Sequence, residues 1–279
     1  MRYLLLAFSL WTIILNAQPV LNFNKHNVEC EDQWVIFPMT KDSSYIYGFI
    51  YIDHQAGLTF NYEGNFKIAS DGKYIPKKDE SHSFKVRLQP NAVLLSIVPE
   101  SKYQELKIKA TPDWLRFYKT DTTSVTHLYR WGFLYNGWNM CNKALTYLES
   151  AQKIDPHFKG LAVELAFSYN CIGKYSQALI VLENALKDNP TDAYINKELI
   201  YAQVKGGLLD QAAESCKNAI RTCEDKTYNG ENCINLLQAY YIRKDKTNFN
   251  LWLDETKKWT ADKANMIGYI KQMETKMKE

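Results

Sequence analysis

The stretch VTHLYRWGFLYNGWNMCNKALTYLESAQKIDPHF, residues 125–158, is followed without a gap by KGLAVELAFSYNCIGKYSQALIVLENALKDNPTD, residues 159–192. Laid one on the other they share ten residues: Phe133/Phe167, Tyr135/Tyr169, Asn136/Asn170, Ala144/Ala178, Leu145/Leu179, Leu148/Leu182, Glu149/Glu183, Ala151/Ala185, Lys153/Lys187 and Pro156/Pro190. Chance matching at ordinary residue frequencies gives roughly two. The chain therefore repeats itself every 34 residues, and the apolar spacing inside each copy is helical.

Each copy offers a small residue and an aromatic in its first half, two alanines in its second, and a closing proline. Gly132, Tyr135, Ala144, Ala151 and Pro156 fill those places in the first copy; Ala166, Tyr169, Ala178, Ala185 and Pro190 fill them in the second. Small residues let two antiparallel helices approach closely, the aromatic fills the space between them, and proline stops the second helix. On these residues the region resembles the tetratricopeptide repeat (TPR) family. A third copy, 193–226, keeps Leu199, Gly207, Ala212 and Ala219 but has Gln203 where the aromatic is expected and Glu224 where proline is expected. A fourth, about 230–260, is degenerate, with Leu236, Tyr240, Phe249 and Leu253 at suitable spacing. Residues 261–279 read as a final amphipathic helix, the cap that a stack needs to hide its last apolar face.

Upstream the period changes. Thr111-Pro112-Asp113 combines an N-cap, a proline at the first helical position and an early acid, so 111–124 is read as a linker helix. Residues 18–110 form a β-rich domain. Runs rich in Val, Ile, Tyr and Phe predict strands over 33–37, 45–53, 58–62, 65–69, 83–88 and 92–98, in an antiparallel sheet of five to seven strands. Tyr45 to Ile52 is apolar on both faces, as a central strand is; Leu58 to Glu63 alternates, as a strand with one wet face does. Glu63-Gly64-Asn65 and Asp71-Gly72 read as turns. The fold class is α+β: a small antiparallel β domain followed by a helical TPR solenoid.

Residues 1–17 carry the pattern of an export signal: Arg2, an apolar core from Leu4 to Leu15, and Ala17 before Gln18. That core rises only about 18 Å as a helix, too short to span a bilayer. The expectation is an exported, periplasmic or extracellular chain with no stable membrane span after cleavage; retention of the segment as an anchor is the alternative. At 46% hydrophobic and 23% charged residues the chain is globular. A net charge of +3 with no basic run of five or more gives no reason to expect nucleic acid.

The resemblance implies a binding groove. In TPR stacks the first helix of each pair lines a concave face, and its positions 2, 5, 9 and 12 point inward. Carried over, the groove residues are Tyr129, Phe133, Asn136, Phe167, Asn170, Tyr194, Lys197 and Tyr201, with Glu231, Ile234, Gln238 and Tyr241 added by the fourth copy. Aromatic faces suit a peptide, and Asn amides can pair with its backbone. The family's basic clamp for a C-terminal carboxylate has no counterpart here. The competing reading is a groove filled by the chain's own sheet domain or last helix, giving a structural envelope protein.

Six cysteines in an exported chain permit disulfides. The antiparallel packing of the family brings Cys141 and Cys171 to one end of the stack, and Cys223 and Cys233 flank a short interhelical segment. Either pair is a candidate bond, and small buried free thiols are the alternative. The sequence holds no HExxH, GxSxG, phosphate-binding loop or dinucleotide fingerprint, and no close Cys/His pairing for zinc. No cofactor and no enzyme activity is expected. A site in the β domain built on Asp53, His54 and His82 is the minor alternative. The leading reading is a non-enzymatic interaction module or scaffold of the bacterial envelope, with a protein or peptide partner.

Overall fold

The computed structural model describes residues 21–78 and 84–278. The expected export signal and His82 lie outside the described residues. Two compact units follow one another along the chain, the first ending at Tyr118 and the second beginning at Lys119.

The first unit is built on six antiparallel strands: β1 Gln33–Ile36, β2 Tyr45–Asp53, β3 Gly57–Ile68, β4 Tyr74–Lys78, β5 Lys85–Arg87 and β6 Ser96–Ile97. Their order is β4-β3-β2-β1-β6, with β5 also pairing β3. Strand β2 lies between β1 and β3 and is buried from Tyr47 to Ile52, as its two-sided apolar character requires. Two expectations fail in β3. Glu63-Gly64-Asn65 is no turn; the strand runs through it. The register steps from Tyr47↔Gly64 to Gly48↔Tyr62, so Glu63 is the extra residue of a bulge. The alternating stretch is not half wet either, because Thr59 and Asn61 are both buried. They pair with Tyr51 and Phe49, and that face is covered by Trp114, whose ring centroid lies 5.0 Å from Tyr51 and 5.8 Å from Phe49.

Trp114 belongs to a 3-10 helix, Asp113–Tyr118, which the sequence reading placed in a linker. Its Leu115 is buried in the aromatic core of the sheet with Trp34, Tyr47, Phe66 and Tyr74, so this segment is part of the first unit's packing. A four-residue helix α1, Tyr103–Leu106, packs at β4 and contributes Leu106 to the same core.

The second unit is a run of antiparallel helix pairs: α2 Val125–Gly137 with α3 Cys141–Ile154, α4 Leu161–Cys171 with α5 Tyr175–Asp188, α6 Ala193–Lys205 with α7 Leu209–Thr222, and α8 Asn229–Ile242 with α9 Lys246–Trp259. Helix α10, Ala264–Lys278, packs on α8 and α9 and buries Ile270, Met273 and Met277 in the terminal core cluster. Gly132 shows why the repeat wants a small residue. A Cβ there would stand 2.3 Å from Leu148 Cγ, well inside contact distance. The equivalent Ala166 is fully buried, as are Ala144, Ala151 and Ala178.

The turn inside each pair is the same device used four times. Asn139, Gly173, Gly207 and Lys244 all adopt a left-handed backbone conformation. Beyond each, an N–H reaches back to a carbonyl five residues earlier: Met140 to Tyr135, Lys174 to Tyr169, Leu208 to Gln203 and Asp245 to Tyr240, at 2.8–3.0 Å. This geometry satisfies carbonyls that the helix end leaves open. The left-handed positions are spaced by 34, 34 and 37 residues. The fourth repeat is therefore the same unit displaced by three residues in the α7–α8 connection, and Tyr240 occupies the aromatic position that Gln203 vacates in the third. The unit is a TPR-like solenoid by its own geometry. Among the described residues no helix is long and apolar enough to cross a membrane.

Candidate binding groove

Helices α2, α4, α6 and α8 are the first helices of the four pairs, and each touches the next. The predicted aromatic positions sit on this A-helix face with their rings partly open. Phe133 is 42% exposed, and Tyr129, Phe167, Tyr194 and Tyr201 are half-buried. Tyr129 packs on Phe133 at 6.4 Å and on Phe158 at 5.1 Å; Tyr194 stacks on Tyr228 at 5.8 Å. These side chains have packed neighbours yet stay partly exposed, which is what a contact surface needs.

Lys197 stands among them. Its ammonium is 2.8 Å from Glu198 Oε1 and 3.4 Å from Glu231 Oε1, and lies over the rings of Tyr194 and Phe167 at 5.7 and 5.9 Å. Burial works against its charge, but the two carboxylates outweigh it and hold its pKa above the usual lysine range. Arg130 over Phe133 and Lys205 over Tyr201 repeat the cation-on-ring motif along the same face.

Asn136 and Asn170 are not where the sequence reading put them. Both are buried, at 3% and 4% exposure, so neither amide is open to a peptide. Asn136 Nδ2 donates to the backbone oxygen of Glu164 at 2.9 Å and to its Oε2 at 2.8 Å. Asn170 Nδ2 does the same to Glu198, at 3.1 and 2.8 Å. Each amide thus staples one A helix to the next, 28 residues on. The physical reason is that a polar side chain at this position meets the neighbouring helix before it meets solvent, and a buried amide must find partners. In the first staple Ser168 Oγ also donates to Asn136 Oδ1, at 2.6 Å. In the second Ala202 replaces the serine, and Asn170 Oδ1 has no partner among the described residues. Sequence reasoning placed Glu164 and Glu198 in the region of the family's carboxylate clamp and missed that they are the partners of Asn136 and Asn170. The signal was available, since an Asn and a Glu recur together one period apart.

Glu164 is 4% exposed. Burial pushes its carboxyl up to about 7, the negative Glu198 adds to the rise, and the Asn136 amide and Lys197 oppose it. Tyr194 is held far above the usual tyrosine range by burial and then by Glu164 and Glu198. Burial likewise raises Tyr129; the charge of Glu164 adds to the rise and Arg130 opposes it. The charge of Glu164 therefore acts on two predicted groove tyrosines.

Of the cysteines, Cys141 and Cys171 are bonded, with Cα atoms 6.2 Å apart, tying the start of α3 to the end of α4. Cys223 and Cys233 are not bonded to each other. Cys233 faces Cys216 instead, Sγ to Sγ 4.0 Å, both fully buried. Across the α7–α8 contact Cys216, in mid-helix, meets Cys233, whereas Cys223 lies beyond the end of α7. In the first unit Asp53 Oδ1 accepts the amides of Gln55 and Ala56 and so shapes the β2–β3 turn that holds His54. Among the described residues no group of three or more His, Cys, Asp or Glu could hold a metal ion.

No family model matches the chain, and no curated protein matches it in sequence. Several solved structures resemble it. One is MamA MSR-1 C2, at 19% identity over 53% of this chain and 84% of that one, with a TM-score of 0.45. Another is TTC0263, a thermophilic TPR protein in Thermus thermophilus, at 17% identity over 57% and 85%, with a TM-score of 0.46. A third is MamA 41-end from Desulfovibrio magneticus RS-1, at 20% identity over 58% and 84%, with a TM-score of 0.44.

Proposed function

We propose that the helical unit holds an extended peptide or protein segment against its A-helix face, and that the chain is a non-enzymatic interaction module of the cell envelope. The observation that carries this reading is the row of partly open rings on three successive A helices: Tyr129 and Phe133, Phe167, then Tyr194 and Tyr201. Rigid aromatic side chains give contact area at low entropic cost, and repetition along the stack spreads that area over the length of an extended segment. The envelope assignment rests on the export pattern of residues 1–17, and a disulfide between Cys141 and Cys171 fits an oxidising compartment.

Crosslinking of the chain in its own envelope, beside a variant carrying Phe167→Ala and Tyr201→Ala, tests it. A partner captured by the first and lost with the second is the expected result, given that both chains unfold at similar temperatures. Equal capture by both, or none by either, contradicts the reading and returns attention to a closed groove or to the first unit.

A further inference from the structure

We propose that Cys216 and Cys233 are a dithiol that closes to a second disulfide when the junction between α7 and α8 opens to a small-molecule disulfide, and that this bond then locks the junction. The two residues sit on helices in contact, Cys216 in the middle of α7 and Cys233 in the second turn of α8. Their Sγ atoms are 4.0 Å apart. That is contact distance, and a disulfide needs about 2.05 Å between its sulfurs. Closing the gap is a matter of side-chain rotation and a small local shift, not of bringing distant segments together. The other two free cysteines stand elsewhere. Cys30 belongs to the first unit, where its Sγ meets the backbone oxygen of His26, and Cys223 lies beyond the end of α7.

While the junction is closed the pair is sheltered. Both residues are fully buried, in the cluster that also holds Leu236, Phe249 and Trp252. The thiolate is the reactive form of a cysteine, and the hydrogen bond with Cys233, together with burial, holds Cys216 far above the usual thiol range. Two neighbouring thiols thus persist in a chain whose Cys141 and Cys171 are bonded. The junction is also where opening is expected, since α7 and α8 meet by apolar packing at the three-residue displacement of the repeat. Once it opens, one thiolate attacks a sulfur of the reagent R–S–S–R, R–S⁻ leaves, and a mixed disulfide forms on that cysteine. The second thiolate attacks the cysteine sulfur of the mixed disulfide and expels the other R–S⁻. The reagent's S–S bond breaks, the Cys216–Cys233 bond forms, two electrons pass to the reagent, and the two thiol protons end on two R–SH. The new bond ties α7 to the helix that carries Glu231, the partner of Lys197, and closes a separation of 17 residues.

The test uses the full chain with the Cys141–Cys171 bond intact, and oxidised glutathione as the reagent, in urea from zero to just below global unfolding. Remaining thiols are alkylated in denaturant and counted by mass. Four are expected before the reagent acts. Afterwards Cys216 and Cys233 should be lost from the count without added glutathione, and a digest should give one linked peptide pair that carries both. The rate should rise with urea in step with hydrogen exchange of the α7 and α8 amides. In the linked chain those amides should exchange about tenfold or more slowly, and dithiothreitol should restore the starting rate. Cys233→Ala should stop at a glutathione adduct on Cys216, whereas Cys223→Ala should close as the parent does. Alanine keeps each position small and apolar, and an unchanged circular dichroism spectrum verifies the fold. Four thiols that persist while the α7 and α8 amides exchange, closure only above the global unfolding midpoint, or a linked pair that contains Cys30 or Cys223 overturns the dithiol. A Cys216–Cys233 bond that leaves exchange unchanged overturns the lock.

Discussion

The two ends of the solenoid are joined by different means. From α2 to α6 successive A helices are stapled by buried Asn–Glu pairs, and the disulfide adds a covalent tie between α3 and α4. From α6 onward Val204 stands where Asn136 and Asn170 stand, and the contact passes to a large apolar cluster that includes Cys216, Cys233, Leu236, Tyr240, Phe249 and Trp252. An unbroken 34-residue period brings each Asn to the same place on the next helix, so a polar ladder can propagate. The three-residue displacement before α8 ends that register, and non-directional packing tolerates the change where a hydrogen bond cannot. The regular end gains defined geometry at the cost of a raised carboxyl; the irregular end gains burial.

The comparison breaks most visibly at the apolar end. Phe249 is 1% exposed, and Phe249→Ala should cost about 3–5 kcal/mol. In urea titrations followed by hydrogen exchange, α8 to α10 should lose protection before α2 to α5. A single loss shared evenly by all the helices would mean that the two ends are not separable.

At the regular end the disulfide closes a loop of 30 residues, which is worth about 3–4 kcal/mol by chain entropy. Cys141→Ser with Cys171→Ser should lower stability by that order. Alkylation in denaturant without reductant should modify four cysteines, 30, 216, 223 and 233, and all six after reduction. A bond between Cys216 and Cys233 would instead leave only Cys30 and Cys223 to react before reduction.

Next comes the raised carboxyl. Unfolded, Glu164 has an ordinary pKa near 4.5; folded, it is about 7. The folded state therefore holds a proton that the unfolded state releases between those values. Its contribution is fully present below about pH 4.5 and is lost as pH rises through 7. Glu164→Gln should match the parent at pH 4.5 and exceed it at pH 8 by about 2–3 kcal/mol. Equal thermal midpoints at both pH values would show that the carboxyl titrates normally.

The smallest effect sharpens the ladder itself. Asn170 Oδ1 lacks the hydroxyl that Ser168 gives Asn136. Ala202→Ser should supply it and stabilise by about 1 kcal/mol, whereas Ser168→Ala should remove the equivalent bond and cost as much. If Ala202→Ser destabilises, the two junctions are not equivalent.

Much of this architecture was legible in the chain, and the exceptions have a common cause. Gly132, the alanines, the tyrosines and the prolines announce the repeat because each acts within its own helix pair. The central strand announces itself by apolar residues on both faces. What escaped depends on a second segment. The bulge at Glu63 is set by pairing with Tyr47 and Gly48. The packing of Asp113–Tyr118 is set by the aromatic face of the sheet. Asn136 and Asn170 read as groove residues because position along one helix gives direction but not neighbours; their partners lie 28 residues on. Tyr129, Phe133, Phe167, Tyr194 and Tyr201 could be placed along the A helices from sequence because a partly exposed residue answers mainly to its own helix.

The central claim is that the A-helix face is the working surface. Site-specific photo-crosslinking tests it most directly, with the reactive residue placed singly at Phe167 and Tyr201, and for contrast at Ile180 on α5 and Leu251 on α9, which are 62% and 71% exposed. The account predicts adducts to the same partner segment from Phe167 and Tyr201 and none from Ile180 or Leu251. Adducts from Ile180 or Leu251 alone would contradict it.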